Sequence, residues 1–217
     1  MNWLKLVEQT QHCQRNWDHN KLISLETIDW LFDVGYNMPT KQNQSTIQIV
    51  AFTNKQAIQD LTDNAIPSED FRGLIKNSQV SAPLVFGFFI RKEPLEVHGD
   101  KDANGNWHPP MKRVGTTVVS VEIGIASGAM ALAANSIGLR TGFCICFAPL
   151  EAGTGKKTYT SKLLKKHNLN FKNLALLLGV GYPNDGIPSN QGPIIGGVKI
   201  PDYETFPKEY QAGKIII

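Results

Sequence analysis

The stretch "SVEIGIASGAMALAANSIGLRTG" runs from Ser120 to Gly142, and its reading decides the fold. Its apolar residues recur at helical spacing, which predicts a long helix. Yet Gly124, Ser127, Gly128, Ala131, Ala134 and Gly138 follow that spacing too, and each glycine inside a helix costs about 1 kcal/mol relative to alanine. A face of small residues lets a second backbone approach at the short end of the usual helix separation of about 8–10 Å. Two readings follow: the small face meets a helix of another subunit, or it fills a crowded core within one chain. The stretch is also the most membrane-like of the chain, but Glu122, Ser127 and Asn135 argue against a bilayer span.

Outward from this helix the chain reads as alternating helices and strands. On the C-terminal side, "GFCICFA" (142–148) and "LALLLGVG" (174–181) are predicted strands. On the N-terminal side, "APLVFGFFI" (82–90) is a continuous apolar run, as expected of a strand buried on both faces. A further strand is predicted at "TIQIVAF" (46–52). Helices are predicted at 2–11, 24–36, 54–63, 68–78 and 156–166. In the second of these Ser24 can cap, Glu26 lies in the first turn, and Ile28, Leu31 and Phe32 share a face. Residues 37–45 read as a polar loop and 91–113 as a turn-rich excursion or lid. The tail from Tyr182 ends in "GKIII". Three isoleucines left in water would be an aggregation hazard, so they pack on their own sheet or add an edge strand to a partner subunit. No repeat, low-complexity segment or linker divides the chain, and a single domain over 1–217 is expected.

Of the 217 residues, 41% are apolar and 19% charged, an ordinary globular balance. A net charge of +3, with no basic run carrying aromatics, is too weak to argue for nucleic acid. Three cysteines, an odd and low number, argue against a disulfide framework and fit a reducing compartment. The opening "MNWLKLVEQTQHCQRNWD" carries no signal-peptide apolar run. A cytoplasmic protein without membrane association is expected.

Three chemical motifs fail. "GTGKKT" (153–158) lacks the first phosphate-loop glycine, since position 150 is Leu, and has Lys157 where Ser or Thr should hold magnesium. "DKDANG" (100–105) copies half a calcium loop but ends on Met111 where a bidentate glutamate is required. Cys144 and Cys146 have no paired histidines at zinc spacing, and buried thiols are the default. No metal is expected. With no nucleophile standing out, an enzyme of this sequence would rely on a bound cofactor.

Four blocks, in order, resemble the nitroreductase family of flavin proteins. "QHCQRNWD" (11–18) is similar to that family's Arg-Arg-Ser-x-Arg-x-Phe-Asp opening. "MPTKQNQSTIQIV" (38–50) is similar to its Ala-Pro-Ser-x-x-Asn-x-Gln-Pro-Trp loop. "IGIASGAMALAANSIGLRTGFCICF" (123–147) resembles its central helix, Gly-Leu-Gly-Thr and strand, and "LALLLGVGYP" (174–183) its last core strand and Gly-Tyr-Pro. The resemblance implies an α+β fold: a three-layer α/β/α sandwich around a mostly antiparallel sheet, in an intertwined homodimer with FMN between subunits. It implies an oxidoreductase that takes hydride from NAD(P)H onto flavin N5 and passes it to a nitroaromatic, quinone, enone or flavin acceptor. The alternative it leaves open is a non-catalytic flavin-binding or sensing dimer.

By position, the resemblance gives Gln11, His12, Cys13 and Arg15 to the flavin phosphate, ribityl chain and pyrimidine edge. Arg15 would stabilise the negative charge of reduced flavin, or else form an ion pair with Asp18. Pro39, Thr40, Lys41 and Asn43 would come from the other subunit, with Asn43 also at the substrate. Asn77 and Gln79 would meet the flavin, and Ile145 and Cys146 would face it with backbone N–H groups. Trp107 and His108 would lie on the substrate side, in the lid. A C-terminal extension from about 184 to 217 would embrace the partner. Two departures stand out: Gln11 replaces an arginine, and no Lys or Arg follows Gly-Tyr-Pro until Lys199. Lys41 or Arg140 are the substitutes for the missing phosphate cation.

Overall fold

The computed structural model describes residues 2–10, 13–40, 45–64, 78–91, 100–101, 103–108, 116–145, 165–169 and 174–184. Among these are helix α1 (Trp3–Thr10), helix α2 (Leu25–Tyr36), strand β1 (Ile47–Phe52) and helix α3 (Lys55–Asn64). A 3-10 turn (Ser78–Ser81), strand β2 (Leu84–Ile90) and the short strands β3 (Asp100–Lys101) and β4 (Trp107–His108) come next. Helix α4 (Thr116–Ser136), strand β5 (Arg140–Cys144) and strand β6 (Leu174–Gly181) complete them.

The main sheet has the order β1-β2-β6-β5, and every pairing is antiparallel. Its two central strands are the two most apolar runs of the sequence, "LVFGFFI" and "LALLLGVG". Their alternation feeds two buried clusters. Ile47, Ile49, Phe86, Phe88, Leu176 and Leu178 pack with Ile28 and Leu31 of α2 and with Val119, Ile123, Ala126 and Met130 of α4. Phe52, Val85, Leu174 and Leu177 pack with Ala57 and Leu61 of α3, with Val80 and Ala82, and with Trp17 and Cys144.

The predicted helix over 120–142 is displaced at both ends. α4 begins at Thr116, because burial of Val119 outweighs the weak helix preference of the threonine and valine run. It stops at Ser136, because Gly138 takes φ +86°. There Gly138 N–H donates to Asn135 O (3.2 Å) and Leu139 N–H to Ala134 O (3.0 Å), the two bonds of a Schellman cap. β5 therefore starts at Arg140, two residues earlier than predicted.

α2 begins as predicted, with Ser24 Oγ accepting from Thr27 N–H (3.1 Å). β6 matches its predicted span. Of the predicted helix 68–78 only Ser78 is described, and it opens the 3-10 turn. The predicted helix 156–166 and the "GKIII" tail lie almost wholly outside the described residues. "DKDANG" enters a two-stranded hairpin, Asp100 opposite His108 and Lys101 opposite Trp107, with Gly105 at φ +82° in the connection.

The small face of α4 divides between the two expected roles. Ser127, Ala131 and Ala134 are buried within the chain. Gly124 and Gly128 look into open space, where an added Cβ would meet nothing within 4 Å, beside the exposed Val121 and Ile125. α4 is long and apolar enough to cross a membrane by length and composition alone, but one side of it packs against the sheet.

Gly138→Ala is expected to lower stability by about 1–2 kcal/mol, since an added Cβ there meets no neighbour and only the left-handed backbone is penalised. Gly124→Ala should gain up to about 1 kcal/mol in the isolated chain through helix preference. Urea denaturation of the two variants beside the parent checks both signs.

Candidate functional site

Segment 13–18 is laid over the β5–β6 end of the sheet. Gln14 N–H donates to Thr141 O (2.8 Å), Asp18 N–H to Tyr182 O (3.0 Å), and Asn184 N–H to Asn16 O (3.1 Å). Trp17, buried to 5% exposure, donates its indole N–H to Ser78 O (2.9 Å) and so ties this segment to the 3-10 turn. Both pieces of backbone lie flat on the sheet because their contact positions are glycines. A Cβ on Gly142 would stand 2.5 Å from Gln14 O and 2.6 Å from Gln79 Cβ. A Cβ on Gly179, opposite Gly142 in the pairing, would collide with the Gln79 carbonyl oxygen.

This shelf brings Cys13 and Gln79 to one point. Gln79 Nε2 donates to Phe143 O (3.4 Å), and Cys13 Sγ makes a 3.7 Å contact with the same carbonyl. Arg15 lies beside them, its Nη1 donating to Cys13 O (3.4 Å). Two residues beyond Phe143 is Ile145; both present apolar surface to solvent, at 36% and 63% exposure. Cys13, Arg15 and Gln79 thus lie close to the Phe143 carbonyl, with Ile145 two residues further along the chain. The Asn20 backbone N–H, and then the Lys21 ammonium at 3.2 Å, hold the Asp18 carboxyl below its usual value. Arg140 donates from Nη1 to Leu139 O (2.9 Å) and Asn135 Oδ1 (3.3 Å), so its charge sits at the C-terminal end of α4, where a cation complements the helix dipole.

Pro39 and Thr40 lie elsewhere. With Thr117, Val118, Val121, Glu122 and Ile125 of α4 they line a groove of about 200 Å³. Among its described lining residues the one charged group is Glu122, only 4% exposed. Thr46 N–H donates to Glu122 Oε1 (3.0 Å) and Oε2 (3.2 Å), and the Thr46 hydroxyl donates to Oε2. Burial pushes the Glu122 carboxyl above its ordinary value, against these donors, the Ile47 backbone and Arg91, which favour the charge. β1 starts at this point, and side chains close its outer edge. Arg91 Nε and Ser45 Oγ donate to Ile47 O (2.8 and 3.2 Å). Tyr36 Oη accepts from Ile49 N–H (2.8 Å) and donates to Ile49 O (3.2 Å).

Of the other residues expected at the site, Gln11, His12, Lys41, Asn43, Asn77, Cys146 and Lys199 lie outside the described residues. Trp107 and His108 are described as backbone of β4 only. Sequence reasoning missed Gln14, Thr46 and Glu122. Gln14 is fully buried, its Nε2 donating to Asn16 O (2.5 Å) while Oε1 has no partner among the described residues. For Glu122 a signal existed: it is the only charge in the 21 residues of α4.

No protein-family model matches this chain, and no curated protein does. Solved structures do match. An FMN-dependent nitroreductase from Clostridium difficile R20291 superposes with a TM-score of 0.60 at 12% identity, over 86% of this chain and 90% of that one. A nitroreductase with bound FMN from Desulfitobacterium hafniense gives 0.60 at 16% identity, over 87% and 93%. Nitroreductase A from Vibrio parahaemolyticus gives 0.59 at 17% identity, over 89% and 73%. The likeness covers nearly the whole chain and shows that the fold is that of the nitroreductases.

Gly142→Ala and Gly179→Ala should each lower unfolding free energy by about 2–4 kcal/mol, because a backbone carbonyl must move. Denaturant titration measures it. The raised Glu122 carboxyl gives a second expectation. The folded chain binds this proton more tightly than the unfolded chain does. Its contribution is full below the unfolded carboxylate value and is lost as pH rises through the folded one. Glu122→Gln should therefore flatten the fall in stability between about pH 4 and neutral pH, measured by urea titrations across that range.

Proposed function

We propose that this chain, which has the nitroreductase fold, is an FMN-dependent oxidoreductase of nitroreductase type that works as a homodimer. The supporting observation is the placement of the two groups of candidate residues. Cys13, Arg15, Gln79 and Ile145 belong to the end of β5, on the sheet face that carries the 3-10 turn. Pro39 and Thr40 belong to the loop before β1, beside α4 on the other face. β5 and β1 are the two outer strands, three strand spacings or about 14 Å apart. One flat ligand can meet both groups when they come from two copies. The unfilled Gly124 and Gly128 face of α4 is the surface on which we place the second copy. Three layers and an intertwined arrangement follow from the same reading.

The residues present fit such a group at its ring end. The Gln14 and Gln79 backbone covers Gly142 and Gly179, and this close approach holds Cys13 and Gln79 at the Phe143 carbonyl, where such a group would bind. When bound, FMN would accept hydride from NAD(P)H and deliver it to a nitroaromatic, quinone, enone or flavin acceptor. The chain's own residues bind and orient. Gln79 fixes the end of β5 by its bond to the Phe143 carbonyl. Arg15 supplies positive charge where electron density would accumulate, which a water-poor site makes more effective. The exposed side chains of Phe143 and Ile145 exclude water once covered. Trp107 and His108 are assigned to the acceptor side.

A second reading, a flavin-binding dimer without turnover, draws on one observation. Arg140 is engaged at the end of α4, and residues 184–198 offer no Lys or Arg to a phosphate. Each charge-assisted bond is worth about 1.5–3 kcal/mol, so the phosphate end is weak.

The absorbance spectrum of the purified protein, taken with FMN and then with NADPH under anaerobic conditions, tests both. Bound oxidised flavin that bleaches with NADPH is the expected result. Bound flavin that does not bleach selects the second reading, and no bound flavin at saturating FMN overturns both.

A further inference from the structure

We infer that Glu122 is a positioning residue for the proposed cofactor site, holding the loop before β1 in place by gripping Thr46. The inference rests on the functional reading above and deepens it. Four observations carry it. The carboxylate is buried at one point where α4, the loop and the start of β1 meet. It takes both hydrogen-bond donors of Thr46, the backbone N–H and the hydroxyl. Thr46 is the residue at which the chain leaves the loop and enters the sheet, since Arg91 N–H donates to Thr46 O (2.9 Å) from the end of β2. The same carboxylate lines the groove walled by Pro39 and Thr40. The carboxylate that holds Thr46 is thus itself part of the groove wall.

Against the loop pattern that the sequence resembles, Thr46 stands at the proline and Ile47 at the tryptophan. A proline has no N–H to give. Here the threonine supplies two donors, and the charge of α4 lies opposite them. The groups facing the carboxylate come from each neighbouring element. They are the Thr46 and Ile47 backbone of β1, the Arg91 guanidinium at the end of β2, and Tyr36 at the end of α2, which borders a small pocket with Glu122. α4 itself adds no other charge. The phenol of Tyr36 is engaged with Ile49 and Gln48, and the Arg91 Nε–H with Ile47 O. The Thr46 donors and the Ile47 backbone N–H are thus the carboxylate's hydrogen-bond partners, while Arg91 acts through charge.

The test uses the full chain with Glu122→Gln, Thr46→Val and the double variant. Two readouts are taken: hydrogen exchange of peptides spanning 38–50 without FMN, and FMN affinity by fluorescence quenching. Each single variant should speed exchange across 38–50 by about tenfold or more, leave a peptide over 174–181 unchanged, and weaken FMN binding about tenfold, the size of one lost charge-assisted bond. The double variant should cost clearly less than the sum of the two singles, because both changes weaken the same hydroxyl–carboxylate bond. Glu122→Gln should melt at or above the parent temperature, since a buried charge is removed; a purely structural role would instead lower it. Unchanged exchange over 38–50, additive effects in the double variant, or parent-like FMN affinity in both singles overturns the assignment. If the parent chain itself binds no FMN, the functional reading falls and the role given to Glu122 falls with it. The exchange result then still shows whether the carboxylate holds the strand.

Discussion

Two carbonyl oxygens, those of Gln14 and Gln79, occupy the space where side chains of Gly142 and Gly179 would stand. The rest of the molecule's arrangement depends on that close approach. It sets the height of the N-terminal segment and of the 3-10 turn above the sheet. It puts Trp17 within reach of the Ser78 carbonyl and lets Cys13 and Gln79 share the Phe143 carbonyl. A smooth glycine surface is entropically expensive in a strand. The sheet tolerates it because β6 lies between β2 and β5, with Leu177, Leu178 and Val180 fully or almost fully buried.

The opposite edge is organised by side chains. Thr46, Ile47 and Ile49 turn their backbone groups to Glu122, Arg91, Ser45 and Tyr36. A carboxylate so deeply buried is held at a disadvantage by desolvation. Its retention beside an N–H and a hydroxyl fits a role in fixing geometry better than one in adding stability. The two edges thus differ in kind: one is shaped by missing side chains, the other by polar ones.

Much of the frame was legible in the sequence. β6 and β2 were visible as apolar runs, and α2 was visible from its Ser24 cap, because these signals are local. The ends of α4 were not. Its start depends on Val119 reaching the core, and its end on whether Gly138 continues the helix or turns left-handed. Nor could the sequence divide the small face. Only the rotation of α4 against α2 and the sheet decides that Ala131 is inside and Gly124 outside. The hairpin 100–108 escaped because two-residue strands carry no periodicity. At the site, Cys13, Arg15 and Gln79, named from the resemblance, lie near one another at the Phe143 carbonyl. Glu122 was read only as a polar interruption. Its partner lies 76 residues away, a separation at which spacing says nothing.

The strand order has a consequence for how the chain is made. β2 pairs with β1, which is already synthesised, but its other neighbour is β6, and among the described strands β5 pairs with β6 alone. As the chain leaves the ribosome, residues 84–90 must wait with one edge open until 174–181 emerge. Helix α4 is complete well before that and can cover only one of their faces. The sheet therefore closes only once 174–181 have emerged, by a long-range pairing of the slow kind. The interval in which the most apolar strand lacks a neighbour is when this protein most needs a chaperone.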